Sequence, residues 1–189
     1  MIGQCAQAGY NAEAKLLNLA ACVGSLTPAL GRGASFLNKA FVSALLGIVQ
    51  QHFQNVETLS LAGNAIASLQ PLRMLSTALP ALKNLDLSGN DLSSLGELAA
   101  LSGYRSQLRE LLIANNPATT AGDLHLGLYH HEVRSFFPSL KMLDQSPVMA
   151  SVISFPVCAQ YCPRSFRHCC IAIPSPSWIF SGNSRDSHL

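Results

Sequence analysis

Charge and long apolar runs are scarce in this chain, and the shortage of apolar runs argues against a membrane-spanning protein. Only 12% of its 189 residues are charged, and the formal net charge of +2 argues neither for nor against a nucleic-acid partner. The longest charge-free apolar run, residues 40–49, spans ten residues, whereas a helix that crosses a bilayer needs roughly 20. No basic segment followed by an apolar stretch opens the chain, so we expect neither a secretory signal nor a membrane partner.

Sequence motifs of enzymes are missing as well. Neither a G-x-S-x-G nucleophile motif nor a glycine-rich phosphate loop occurs in the sequence. His130, His131 and Glu132 are adjacent, but a metalloprotease helix places its two histidines four residues apart. The histidines are interpreted more simply as an exposed pair on a helix. We therefore expect no catalytic residues, no cofactor and no metal.

One pattern occurs three times at a spacing of 26 residues. Its form is apolar-x-x-Leu-x-apolar-x-x-Asn-x-apolar, and its copies begin at Val56, Leu82 and Leu108. Units of roughly 20–29 residues with this pattern are leucine-rich repeats, which bury their leucines by stacking on their neighbours. The pattern predicts parallel strands near residues 58–61, 84–87 and 110–113, with helical returns between them.

The asparagine of each unit has a predicted structural role. Asn64, Asn90 and Asn116 recur in register, and an asparagine amide can satisfy backbone groups that no sheet partner reaches. A single copy could equally be a surface turn residue. Three copies in register predict an internal hydrogen-bonded ladder.

Weaker elements extend the repeats at both ends. Residues 140–144 predict a fourth strand near 141–144, after a helix over residues 129–137 that ends before Pro138. Residues 14–19 form a degenerate first strand without its asparagine. A helix over residues 35–53 follows, with Ser35 as its N-cap and one apolar face made by Leu37, Phe41, Leu45, Ile48 and Val49. The predicted fold class is an α/β leucine-rich repeat solenoid with about four parallel strands over residues 14–147, preceded by an extension at 1–13.

Residues 148–189 break the pattern. They are rich in Ser, Pro and Cys without any period, so we expect a disordered or mispredicted tail. Four of the six cysteines lie there beside His168, and their spacing fits a zinc site only loosely: Cys158, Cys162, Cys169 and Cys170.

Four stretches of the repeats resemble one family, the leucine-rich repeat domain of nuclear mRNA export receptors, the TAP group with its fungal counterparts. These stretches are residues 56–64, 79–90, 108–117 and the closing Phe-Pro-Ser-Leu-Lys-Met-Leu-Asp of 137–144. The resemblance covers roughly residues 14–147. It implies a module that binds mRNA and export adaptor proteins, in a nuclear protein that shuttles to the cytoplasm.

The chain also departs from that family. Its members carry an RNA-recognition domain before the repeats, and after them an NTF2-like domain and a module that binds nuclear-pore FG repeats. None of these is expected here, so the resemblance indicates a fragment. Binding of the NTF2-like partner subunit and of FG repeats is therefore not carried over.

Two surfaces are candidates for binding. Cations follow the first leucine of three successive units and predict an RNA-binding edge, with further arginines nearby: Lys83, Arg109 and Lys141, flanked by Arg73, Arg105 and Arg134. The strand residues beside the buried leucines predict two concave columns: Thr58, Asn84, Glu110 and Met142 in one, and Ser60, Asp86, Leu112 and Asp144 in the other.

The alternative function is a protein-interaction scaffold of the spliceosomal or phosphatase-regulating type, which would use the concave columns and bind no RNA. The edge cations would then be ordinary solubilising charges. Neither concave column is basic, so RNA binding depends on the edge.

Overall fold

The computed structural model of the chain describes residues 1–120 and 126–148. The α-helices of this part are α1 (Ile2–Ala8), α2 (Cys22–Leu30), α3 (Lys39–His52), α4 (Leu75–Ala78), α5 (Pro117–Thr120) and α6 (Leu126–Phe136). The strands are β1 (Tyr10–Asn11), β2 (Leu16–Asn18), β3 (Thr58–Ser60), β4 (Asn84–Asp86), β5 (Glu110–Leu112), β6 (Met142–Leu143) and β7 (Ser146–Pro147). Further turns of 3-10 helix cover Gly31–Gly33, Gln70–Leu72 and Leu95–Tyr104. The predicted tail beyond Val148, with its four cysteines and His168, lies outside the described residues.

The strands form one sheet in chain order, and the α/β repeat solenoid is confirmed. Strands β2 to β6 are parallel, with equivalent residues of successive units side by side. Each predicted strand is present and is one or two residues shorter than expected. The degenerate first strand is also confirmed as β2, which makes five parallel strands where about four were expected.

Two antiparallel edge strands were not predicted. Strand β1 pairs with β2 and strand β7 pairs with β6, each through a short turn. A solenoid has no further repeat at its ends, so its outer strands would otherwise leave a row of unpaired backbone groups. Short hairpins cover both ends, and β7 includes Pro147, which suits an edge.

Leucines from the strands and the returns fill one continuous core. In strands β3, β4 and β5 the central residue is buried while its two neighbours are partly exposed, the period-2 pattern of a strand with one face inside. The returns between the strands bury their leucines as well: Leu69, Leu72, Leu75, Leu79, Leu95, Leu98 and Leu101. No unit could bury these residues alone, so stability depends on the stacking of neighbours.

Helix α3 begins later than predicted. Its N-cap is Asn38, whose Oδ1 accepts hydrogen bonds from the amides of Ala40 (3.0 Å) and Phe41 (3.4 Å). The predicted cap, Ser35, instead accepts a local bond from the amide of Leu37. Leu37 therefore lies before the helix and is 59% exposed, contrary to the prediction. The rest of the predicted face is correct, since Phe41, Leu45 and Val49 are buried and Ile48 packs against the core.

Residues 1–13 pack on the first repeat as a cap. Ala6 of α1 is fully buried, and the Tyr10 ring lies 4.7 Å from the Phe53 ring, centroid to centroid. The amide of Asn18 donates to the carbonyl of Gly9 at 2.8 Å, which closes the β1–β2 hairpin. Within the described residues, no helix has both the length and the apolar character to cross a membrane.

Candidate nucleic-acid interface

The asparagine ladder aligns the strands and so creates the columns of surface residues. Asn64, Asn90 and Asn116 are buried, as predicted. The Nδ2 of Asn90 donates to the carbonyls of Leu87 (2.8 Å) and Leu61 (3.0 Å), one in its own unit and one in the preceding unit. Its Oδ1 accepts from the amide of Asn64 at 2.9 Å. Asn116 repeats the carbonyl contacts with Ile113 and Leu87. Each rung therefore fastens two neighbouring units.

The first rung explains why the degenerate unit needs no asparagine. Cys22 occupies the equivalent position and is buried. The Nδ2 of Asn64 donates to the carbonyl of Leu19 at 2.8 Å, and its Oδ1 accepts from the amide of Val23 at 3.1 Å. The next unit thus supplies the amide that the first unit lacks.

Five charged residues form what we call the edge column: Lys15, Glu57, Lys83, Arg109 and Lys141. Each one immediately precedes a parallel strand. Their backbones are hydrogen-bonded in succession, since each amide from Glu57 to Lys141 donates to the carbonyl of the preceding member at 2.7–2.9 Å. The four cations are exposed. Neighbouring strands lie about 4.8 Å apart, so the side chains follow one another along a single edge.

Lys15 is a member of the edge column that the sequence reasoning missed. The unit that contains Lys15 has Ala14 where the other units have a larger apolar residue. Lys15 itself adopts a positive φ of 49°. The only available signal was its position three residues before Asn18, equivalent to Glu57 before Ser60 in the next unit.

Ion pairs divide the edge column into two parts. The Glu57 carboxylate binds the Nζ of Lys15 and the Nζ of Lys83, each at 2.6 Å. Hydrogen bonds from Lys15 and Lys83, and their positive charges, lower the pKa of Glu57 from 4.5 to about 2. No ion pair involves Arg109 or Lys141 among the residues that the structure describes. The two column cations without an ion pair among the described residues, Arg109 and Lys141, therefore lie at the C-terminal end of the column.

The three predicted flanking arginines differ in their surroundings. Arg73 is exposed and follows the 3-10 turn Gln70–Leu72, on a return and away from the strand starts. Arg105 is exposed, and its Nη1 donates to the carbonyl of Ser135 at 2.9 Å, near the C-terminal end of α6. Cationic groups stabilise helix C-termini, so this side chain has a structural role. Arg134 is partly buried on α6 itself.

The concave columns have the predicted register, but the side chains of their N-terminal and C-terminal halves differ in hydrogen bonding. Toward the N-terminal end, Asn84 donates to the hydroxyl of Thr58 at 3.0 Å and Ser60 donates to Asp86 at 2.9 Å. These polar groups are thus already paired with each other. Toward the C-terminal end, Glu110, Leu112 and Met142 are partly exposed, and the described residues provide no side-chain hydrogen bond to Glu110.

Asp144 does not join the second concave column, contrary to the prediction. Strand β6 ends at Leu143, and Asp144 turns away with a φ of 46°. Its Oδ1 accepts from the amides of Ile113 (2.7 Å) and Ala114 (2.9 Å), and its Oδ2 accepts from the hydroxyl of Tyr129. The side chain therefore closes the end of the sheet instead of presenting a binding surface.

The histidine pair and the buried tyrosines differ in exposure, and His130 is partly buried where an exposed pair was predicted. His131 is exposed, while the ring of His130 lies 5.8 Å from that of Tyr129. Burial raises the pKa of Tyr129, as does its hydrogen bond to Asp144. Burial also raises the pKa of Tyr104, whose hydroxyl donates to the carbonyl of Leu79. Within residues 1–120 and 126–148, no group of His, Cys, Asp or Glu is placed to hold a metal ion.

Comparison with known proteins gives consistent likenesses. The family model of the NXF1/2/3/5 leucine-rich repeat domain matches residues 34–145. A chain from the structure of the Chaetomium Mex67:Mtr2 subunits is 32% identical, with a TM-score of 0.61 over 78% of this chain and 90% of that chain. The Mex67 leucine-rich repeat domain from Chaetomium thermophilum is 31% identical, with a TM-score of 0.58 over 78% of this chain and 92% of that chain. The comparison with curated proteins gives no match.

Proposed function

Since the chain belongs to the NXF1/2/3/5 leucine-rich repeat domain family, we propose that it is an RNA- and adaptor-binding module of a nuclear mRNA export factor. It acts by binding and not by catalysis. The proposal places the chain in a nuclear protein that shuttles to the cytoplasm with its cargo. Its RNA contacts are the exposed cations of the edge column, and its adaptor contacts are on the concave face.

The observation that carries this proposal is the pair of exposed cations at Arg109 and Lys141, which have no ion-pair partner among the described residues. They occupy successive positions of one hydrogen-bonded backbone ladder. A phosphate backbone is recognised by such charges without regard to base sequence, and binding releases condensed counterions. The module should therefore bind single-stranded RNA weakly, with little sequence preference and with an affinity that falls as salt rises.

The test is a salt titration of RNA binding by the full chain. A fluorescently labelled oligoadenylate is titrated with wild type and with a triple variant that carries Lys83→Ala, Arg109→Ala and Lys141→Ala. The variant should lose affinity. Its slope of log affinity against log salt should fall by no more than about three units, because it loses at most three phosphate contacts. A variant of an exposed cation outside the column, Lys39→Ala, should bind nearly as wild type does.

A second candidate function is supported by the C-terminal half of the concave face. Leu112 and Met142 are partly exposed there beside Glu110. Such a mixture of apolar and acidic side chains suits a protein partner better than a phosphate backbone. If the wild-type chain shows no salt-sensitive RNA binding, the protein-scaffold function replaces the export-module function.

A further inference from the structure

Glu57 is the only acidic member of the edge column, and it lies between two cations. Its carboxylate contacts the Nζ of Lys15 through Oε1 and the Nζ of Lys83 through Oε2, at 2.6 Å in both cases. The three side chains are partly exposed, at 52% for Lys15, 29% for Glu57 and 46% for Lys83. The carboxylate thus holds the position between adjacent ammonium groups that a bound phosphate would otherwise take.

No acidic member of the edge column lies between Lys83 and Lys141. Arg109 and Lys141 follow Lys83 in the same backbone ladder, and neither has an ion pair among the described residues. A phosphate that approaches Arg109 and Lys141 meets two unpaired cations. A phosphate that approaches Lys15 and Lys83 meets two ammonium groups that already share the Glu57 carboxylate, and this carboxylate is close enough to repel the phosphate.

We propose that Glu57 limits the RNA-contacting part of the edge column to its C-terminal end, by occupying Lys15 and Lys83 as an internal anion. This inference rests on the proposed RNA binding and specifies which part of the column performs it. A charged group that disfavours one register of a ligand is a common way to achieve specificity. Here it fixes where a phosphate backbone can lie and keeps the number of contacts small.

The test compares Glu57→Gln with wild type in the same oligoadenylate titration, on the full chain. Glutamine keeps the size of the side chain and removes the charge. Freed of their partner, Lys15 and Lys83 should contribute up to two further phosphate contacts, so the salt slope should become steeper by up to about 1.4 units, at about 0.7 per contact with a single strand. The affinity at low salt should rise roughly 3–10-fold, because each exposed contact contributes little.

Two controls separate this effect from a general change of charge. Asp91→Asn removes one negative charge at an exposed residue beyond the opposite end of strand β4, and it should leave the salt slope unchanged. Lys15→Ala with Lys83→Ala should abolish the gain in the Glu57→Gln background but have little effect in the wild-type background. The melting temperature of every variant is measured to establish that it is folded, which the exposure of these side chains leads us to expect.

The outcomes distinguish this inference from the proposed function. If wild type binds RNA with a measurable salt slope and Glu57→Gln gives the same slope and affinity, Glu57 sets no limit and the inference is wrong, while the proposed function stands. If Lys15→Ala with Lys83→Ala weakens wild type as much as it weakens Glu57→Gln, the inference is equally wrong. If neither wild type nor Glu57→Gln binds RNA, both the proposed function and the inference fail.

Discussion

The hydroxyl of Tyr129 donates a hydrogen bond to the carboxylate of Asp144, and this contact joins helix α6 to the end of the sheet. The other oxygen of the same carboxylate accepts from the amides of Ile113 and Ala114 in the preceding unit. In the interior units, the amides equivalent to that of Ile113 belong to Leu61 and Leu87, and they donate to the main-chain carbonyls of Asp86 and Leu112 in the following strand. Asp144 occupies the position equivalent to Asp86 and Leu112, and it accepts from Ile113 through its side chain instead.

We expect Tyr129→Phe to destabilise the fold by about 1–3 kcal/mol, because it removes a hydrogen bond to a charged acceptor. The free energy of unfolding from urea titrations measures this. Tyr10→Phe is the matched control, since Tyr10 packs its ring against Phe53 and no hydrogen bond to its hydroxyl is seen among the described residues. Equal stability of the two variants would show that the contact between α6 and Asp144 does not hold the cap.

Asn90→Ala should cost about 1–3 kcal/mol of unfolding free energy, because it leaves buried backbone groups of two units without partners. Asn90 is the middle rung and has stacked units on both sides. The exposed Asn55, replaced by alanine, should leave the urea midpoint near the wild-type value. If the urea midpoint of Asn90→Ala equals the wild-type midpoint, the hydrogen bonds of the asparagine ladder do not stabilise the fold.

The ion pairs of Glu57 predict that the stability of the fold depends weakly on pH. The folded state lowers the pKa of Glu57 to about 2, so its contribution to stability is complete above the ordinary value near 4.5 and is lost as pH falls through about 2. The difference in urea midpoint between wild type and Glu57→Gln should be small at neutral pH, since the pairs are exposed and screened. It should shrink between pH 4.5 and 2, and shrink with added salt. A difference in urea midpoint that stays constant from pH 4.5 to 2 would show that the ion pairs of Glu57 do not contribute to stability.

Gly9 is predicted to be intolerant of a side chain. A Cβ at this position would lie 2.0 Å from the main-chain oxygen of Asn18, which cannot move without breaking the β1–β2 hairpin. Gly9→Ala should therefore lower the melting temperature clearly. Gly47→Ala is the control, since no atom lies within 4 Å of its added Cβ and alanine suits the interior of α3, with an expected gain of about 0.5–1 kcal/mol. Equal behaviour of the two variants would contradict the close approach.

The sequence predicts the repeated parts of this fold well because the repetition carries the signal. Asn64, Asn90 and Asn116 share one environment, so three weak local preferences support the same conclusion. Ser35 and Asn38 show the opposite case: both are good N-cap residues, and the choice between them depends on the turn that precedes α3.

The candidate site was predictable only in part for a similar reason. The register of Lys83, Arg109 and Lys141 follows from the 26-residue spacing, and the structure has the same register. Lys15 lies in a unit without the repeat signature, and its pairing with Glu57 joins residues 42 positions apart. The role of Arg105 at α6 and that of Asp144 at the end of the sheet likewise depend on contacts between units, which a spacing rule does not contain.

The most direct test of the central claim is a residue-resolved map of RNA binding. Amide chemical shifts of the full chain are followed by nuclear magnetic resonance while oligoadenylate is added at low salt, and again at high salt. We predict that the shifts concentrate at Arg109, Lys141 and their neighbours on the edge column, and that they disappear at high salt. Shifts confined to the concave residues, or no shifts at all, would contradict the account.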